Sequence, residues 1–167
     1  KLKNMQEHFE NAIKILKKQE IDGCITGSCM LGFQPEWQQD IDIFTYNKSS
    51  FTKLLFFMHY NPMFLILDKL EEHKFQEYIN EDKSSLKQLG LITIKFKYNL
   101  LVDVNVIYKE RHHNCFDVIS NFDLDLIATG YDIKTGKTLC LRETTGKEGS
   151  WNKWNTAFYK PDFWSIK

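Results

Sequence analysis

The run Asp40-Ile41-Asp42-Ile43-Phe44-Thr45-Tyr46 most constrains what this chain can fold into. Its strict alternation puts Asp40, Asp42 and Phe44 on one face of an extended strand and Ile41, Ile43 and Thr45 on the other. A strand with one apolar face must bury that face against a second layer, and that layer has a candidate at once. Residues 4–19 place Met5, Phe9, Ile13 and Leu16 on one stripe with lysines opposite, which predicts an amphipathic helix. A second two-faced strand is predicted at Leu101-Val102-Asp103-Val104-Asn105-Val106-Ile107, strongly apolar with one carboxylate in it.

The remaining elements follow from local signals. Cys24-Ile25-Thr26 reads as a brief strand ending in a turn at Gly27-Ser28. Ser49 and Ser50 are candidate caps for a helix through Phe51, Leu54, Leu55 and Met58, which Pro62 interrupts. Residues 64–88 read as further helix with an acidic, solvated surface. Leu89–Tyr98, with Lys95 and Lys97 alternating outward, and Leu100–Tyr108 read as a hairpin turning at Asn99. One or two helical turns are expected over 114–121, and Tyr131–Leu141 reads as another hairpin around Lys134-Thr135-Gly136-Lys137.

Composition narrows the class. The chain of 167 residues is long enough to bury a core without staples, and its 43% apolar and 26% charged content excludes intrinsic disorder. Basic and acidic residues balance at 22 each, which argues against a dedicated duplex-DNA binder, and only Arg111 and Arg142 are arginines. The four cysteines show no Cys-x-x-Cys pair and read as reduced thiols. No membrane-length apolar run and no signal-peptide pattern are seen, so the expectation is a cytoplasmic protein without a membrane partner.

The chemistry concentrates in Gly27-Ser28, eleven intervening residues, and Asp40-Ile41-Asp42-Ile43. Carboxylates at i and i+2 of a strand share a side, roughly 6–7 Å apart at the backbone. Convergent carboxylate oxygens suit a hard divalent cation, with phosphate oxygens and water completing the octahedron. A Gly-Ser turn offers backbone N–H groups and a hydroxyl to phosphates. Asp103 in a Val/Ile strand is costly unless paired or metal-bound. Set beside Asp40 and Asp42 it would complete a two-metal site. The plainer readings are a solvated strand for the Asp pair and a lysine across the hairpin, Lys95 or Lys97, satisfying Asp103.

These residues carry a resemblance. Gly-Ser, a spacer of this length, Asp-hydrophobic-Asp on a strand and a later Asp on a neighbouring strand is similar to the pattern of the nucleotidyltransferase superfamily. That superfamily includes DNA polymerase β, poly(A) polymerases, CCA-adding enzymes and small antibiotic nucleotidyltransferases. The match covers residues 20–110 by element order. A weaker echo, Asp123-Leu124-Asp125-Leu126-Ile127-Ala128-Thr129-Gly130-Tyr131-Asp132, resembles the stretch closing the CCA-adding head domain. It departs from that stretch at Asn121, Phe122 and Ile127 and lacks the Arg-Asp pair that follows. The fold and the metal site are therefore carried over, but not tRNA-end synthesis or a base preference.

The resemblance implies one α/β (α+β) domain over 1–167, with its core at 20–110 and a C-terminal extension over 111–167. The implied fold is a mixed, twisted sheet of about four or five strands with helices on one side. It implies Mg²⁺- or Mn²⁺-dependent transfer of a nucleoside monophosphate from ATP or another nucleoside triphosphate to an acceptor hydroxyl. The acceptor could be an RNA end, a protein or a small molecule. In this reading Asp40, Asp42 and Asp103 hold metal and do the chemistry, while Gly27 and Ser28 hold the nucleotide. The rival is a catalytically silent protein of the same fold that binds nucleotide or a partner protein, as in a toxin–antitoxin or phage-defence pair. A third reading is a single-stranded RNA module using the aromatic tail, from Trp151 to Trp164, with its interleaved lysines. His112, His113 and Cys115 sit too close together for a tetrahedral zinc site and read as a surface loop.

Overall fold

The computed structural model describes residues 2–67, 91–122 and 127–141. The elements run α1 (Leu2–Lys17), β1 (Gly23–Thr26), β2 (Ile41–Thr45), α2 (Lys48–Tyr60), β3 (Phe64–Ile66), β4 (Leu91–Tyr98), β5 (Val102–Lys109), α3 (Cys115–Ile119), β6 (Thr129–Asp132) and β7 (Thr138–Cys140). A short 3-10 turn, Ser28–Leu31, follows β1. The strands form one mixed sheet of seven in the order β3-β4-β5-β2-β1-β6-β7. Among the described residues only β2 and β5 pair in parallel; the other neighbours are antiparallel.

The alternation in β2 is realised as expected: Ile41, Ile43 and Thr45 are buried while Asp42 and Phe44 are half-buried. The buried face packs with Val102, Val104 and Val106 of β5 against Phe9, Ala12 and Leu16 of α1 and Phe51, Leu54, Leu55 and Met58 of α2. Each fully buried Leu, Ile or Phe of this set contributes about 1.5–3 kcal/mol from area removed from water. Asn99 and Leu100 both adopt positive φ, 49° and 61°, which turns the β4–β5 hairpin tightly.

Several elements differ from expectation. Phe64–Ile66 is an edge strand paired with Phe96–Tyr98, not the start of a helix, because the chain turns at Pro62 and re-enters extended. Residues 68–88 of the expected acidic helix lie outside the described residues, as do Asp123, Asp125 and the aromatic tail. The cap of α2 is Asn47, whose Oδ1 accepts from the Ser50 N–H at 2.7 Å. Ser50 instead accepts at its Oγ from the Asp22 N–H at 2.8 Å, tying α2 to the entry of β1.

The sheet has seven strands rather than four or five, since β3 adds one edge and β6 and β7 extend the sheet beyond β1. Helices lie on both sides, not one. On the face of Phe44, α3 packs Cys115, Val118 and Ile119 against Cys24 and Ala128 in a second small core. His112, expected on a surface loop, is buried there beside Phe44, with ring centroids 5.7 Å apart. No helix among the described residues is long and apolar enough to cross a membrane.

Candidate functional site

The β2–β5 pairing decides which side chains meet. In-register partners are Ile41 with Val104 and Asp42 with Asn105, and neighbouring β4 aligns Lys95 with Asn105 and Lys97 with Asp103. On the antiparallel side Thr26 lies opposite Asp42. Side chains opposite one another share a face. Lys95, Asn105, Asp42 and Thr26 therefore form one row across the sheet, with Lys97, Asp103 and Asp40 flanking it. At the other end of the strands α3 packs on this same face against Cys24 and Ala128, and there β5 loses its alternation, burying Ile107 as well as Val106 and Tyr108.

Asp40 and Asp42 converge. Asn105 Nδ2 donates to Asp42 Oδ1 at 2.8 Å and to Asp40 Oδ2 at 3.2 Å, so one amide touches both carboxylates. Burial raises the Asp42 carboxyl above the usual range; the Asn105 hydrogen bond opposes this, and the charge of Asp40 adds to it. A half-buried carboxylate facing a second one is the situation that a hard cation relieves. This donor set fits Mg²⁺ or Mn²⁺.

Asp103 is placed beside the pair but engaged elsewhere. Lys97 Nζ lies 2.9 Å from its Oδ1, the cross-hairpin ion pair weighed as the plainer reading from sequence. Among the described residues no group of three or more His, Cys, Asp or Glu is arranged to hold one metal ion. The three acids thus lie on one end of one face as two units, a convergent pair and an ion pair.

Gly27 belongs to the site by geometry. Its φ of 93° and ψ of −164° are glycine territory, and a Cβ added there would lie 3.5 Å from Asp42 Oδ2. The backbone turns here directly under the carboxylate. Ser28 opens the 3-10 turn, and its carbonyl accepts from Gln39 Nε2 at 3.1 Å. Cys29 is buried next to Asp42; burial first, and the Asp42 charge second, push its thiol up to about 12. It is not a nucleophile at neutral pH.

Sequence reasoning missed Asn105 and Gln39. The alternation that placed Asp103 outward places Asn105 outward too, so the first was readable. Gln39 accepts at Oε1 from the Gln34 N–H at 2.7 Å and donates through Nε2 to Gly32 O at 2.9 Å and to Ser28 O, closing the 28–39 loop. A glutamine in a polar stretch carries no signal of that.

Comparison with protein-family models, with curated proteins and with solved structures finds no match to this chain.

Proposed function

We propose that the chain is a metal-dependent nucleotidyltransferase, moving a nucleoside monophosphate from a nucleoside triphosphate to an acceptor hydroxyl. The observation that carries this reading is the convergence of Asp40 and Asp42 above the Gly27 turn, with Asn105 bridging them. Asp40 and Asp42 would hold Mg²⁺ or Mn²⁺, with Asp103 as the third carboxylate. The cation would supply neutralisation of the triphosphate and of the leaving pyrophosphate.

The chain's own groups do the rest. Asn105 holds the two carboxylates in place and keeps Asp42 from drifting further toward its neutral form. Gly27 lets the backbone approach closely, and the Ser28 hydroxyl is the polar group that reaches phosphate oxygens there. Asp103 takes the proton of the acceptor hydroxyl. Lys95, exposed on the same face and in register with Asn105, adds positive charge for a phosphate chain. Catalysis of this kind is mostly positioning and charge neutralisation.

The test is incubation with each α-³²P-labelled nucleoside triphosphate, Mg²⁺ or Mn²⁺ and a cell extract, beside an Asp40→Asn/Asp42→Asn control. Label incorporated into RNA, protein or a small molecule only with the intact acids supports the reading; full activity in the control sinks it. One observation favours a second reading, a silent nucleotide-binding protein with a partner: the third acid is already neutralised by Lys97. Metal-dependent nucleotide binding without turnover would select that reading.

A further inference from the structure

Beside the acids the sheet end opens into a cleft of about 710 Å³, within the range of small-molecule sites. Its described lining includes Asp40, Asp103 and Lys97 together with Met5, Phe9, Phe33 and Trp37. Described contacts hold parts of this lining in place. The ring of Phe33 packs on Phe9 of α1 with centroids 5.5 Å apart. The Asn99 Nδ2 lies 3.1 Å from the His8 ring and pins α1 to the β4–β5 turn. Trp37 is 40% exposed, and its backbone N–H donates to Gln34 O at 3.1 Å within the loop that Gln39 closes.

The lining's charge selects the ligand. Among the described lining residues two carboxylates stand with one ammonium, and that ammonium is paired with Asp103. Among the described residues of the cation-free cleft, a phosphate chain would meet the Asp40 carboxylate, with the ammonium held by Asp103. Aromatic rings and carboxylates lining one cleft suit a flat ring bearing hydroxyl groups, the ring stacked and the hydroxyls donating to the acids.

We propose that this cleft is the acceptor site and that the acceptor is a compact, uncharged or cationic molecule carrying a planar ring and a hydroxyl. This rests on the nucleotidyl-transfer reading. The acceptor oxygen forms a new bond to the α-phosphorus, and the bond from that phosphorus to the bridging oxygen of pyrophosphate breaks. The hydroxyl proton passes to the Asp103 carboxylate, and pyrophosphate leaves with the bonding electrons.

The probes are adenosine and uridine, their 5′-monophosphates and a short oligouridylate, titrated into the full chain without nucleoside triphosphate and followed by saturation-transfer NMR. The nucleosides are expected to bind more tightly than the phosphorylated probes. Trp37→Ala is expected to weaken them at least about fivefold, the low end of what removing a stacking ring does, and Trp37→Phe to restore most of the loss. Tighter binding of the monophosphates or the oligonucleotide overturns the proposal, as does nucleoside binding indifferent to Trp37→Ala. In the transfer assay Trp37→Ala should raise KM for the acceptor and leave KM for the triphosphate unchanged. Transfer with an unchanged acceptor KM overturns the cleft alone. Ring-dependent nucleoside binding with no transfer from any triphosphate overturns the transfer reading, and the acceptor role with it.

Discussion

Asn105 on β5 donates to the Asp42 carboxylate on β2 at 2.8 Å, across the parallel pairing of these two strands. The bond holds the Asp42 carboxyl down against burial and the charge of Asp40. Asn105→Ala should therefore move the Asp42 titration midpoint further up, read by carboxyl ¹³C NMR. Transfer activity should fall about tenfold or more, because the two carboxylates lose their common tether. An unmoved midpoint would mean that the amide does not control Asp42.

Asp42 sets function against stability. Its carboxyl is raised in the fold, so above the ordinary 3.8 the folded chain keeps a proton that the unfolded chain has lost. Its contribution to stability falls as pH rises through that window, and the charged form opposes folding at pH 7. Asp42→Asn should raise Tm at pH 7 by about 2–4 °C, the shift that ~1 kcal/mol gives a chain of this size, while abolishing transfer. Millimolar Mg²⁺ should raise the wild-type Tm and leave that of the variant where it is.

Gly27→Ala tests the turn under the carboxylate. At φ 93° and ψ −164° an alanine is strained by about 1–3 kcal/mol, and its methyl would sit 3.5 Å from Asp42 Oδ2. Chemical denaturation should show that loss. Gly32→Ala is the contrast: φ is also positive, 82°, but a Cβ meets nothing within 4 Å, so stability falls while nucleotide affinity does not.

Far from the acids, Asp22 is held below the usual carboxylate range, chiefly by its hydrogen bond with Lys134, with Asn47 adding to it and burial opposing. The stability it adds is complete above pH 3.8 and is lost as pH falls below that through the lowered value. In Lys134→Ala the Asp22 midpoint should climb toward the ordinary value. Thermal melts at pH 7 should hardly change, since the lysine is 71% exposed.

Leu100 occupies a glycine position. Its φ is 61° and its side chain is 69% exposed, so the turn carries strain that no burial offsets. Leu100→Gly should stabilise the fold by up to about 1 kcal/mol after glycine's extra unfolded-state entropy is subtracted. A lower Tm would show that Leu100 is packed in solution.

How far the sequence could be read depended on periodicity. Alternation in Asp40–Tyr46 and in β5 was strong enough to place every outward acid on its face, and the α1 stripe placed the layer beneath them. Phe64–Ile66 is only three residues long and follows Pro62, so no period existed to tell strand from helix. The place of β6 and β7 beyond β1 is a long-range pairing, set by Ile25 meeting Tyr131, and local sequence carries no mark of it. The same holds for the site: Asp40, Asp42 and Asp103 were readable as acids and a lysine across the hairpin as a partner for Asp103, but the choice between Lys95 and Lys97 and the amide joining Asp40 to Asp42 needed the register. Lys97 takes Asp103 because the hairpin register aligns them, and Asn105 takes the pair because β2 and β5 run in parallel.

That parallel pairing also dictates when the site can exist. A parallel partner cannot be reached by a tight turn, and here the chain travels through α2, β3 and β4 before β5 returns beside β2. During synthesis the Asp40–Asp42 pair emerges long before Asn105 and Asp103, so the carboxylates repel one another without the amide that joins them. Should the acids hold a cation as proposed, affinity for it would come late in the growing chain, appearing only when β5 docks. A ribosome-bound chain ending before β5 should be blind to Mg²⁺, and one extended past Lys109 by enough residues to clear the exit tunnel should respond to it.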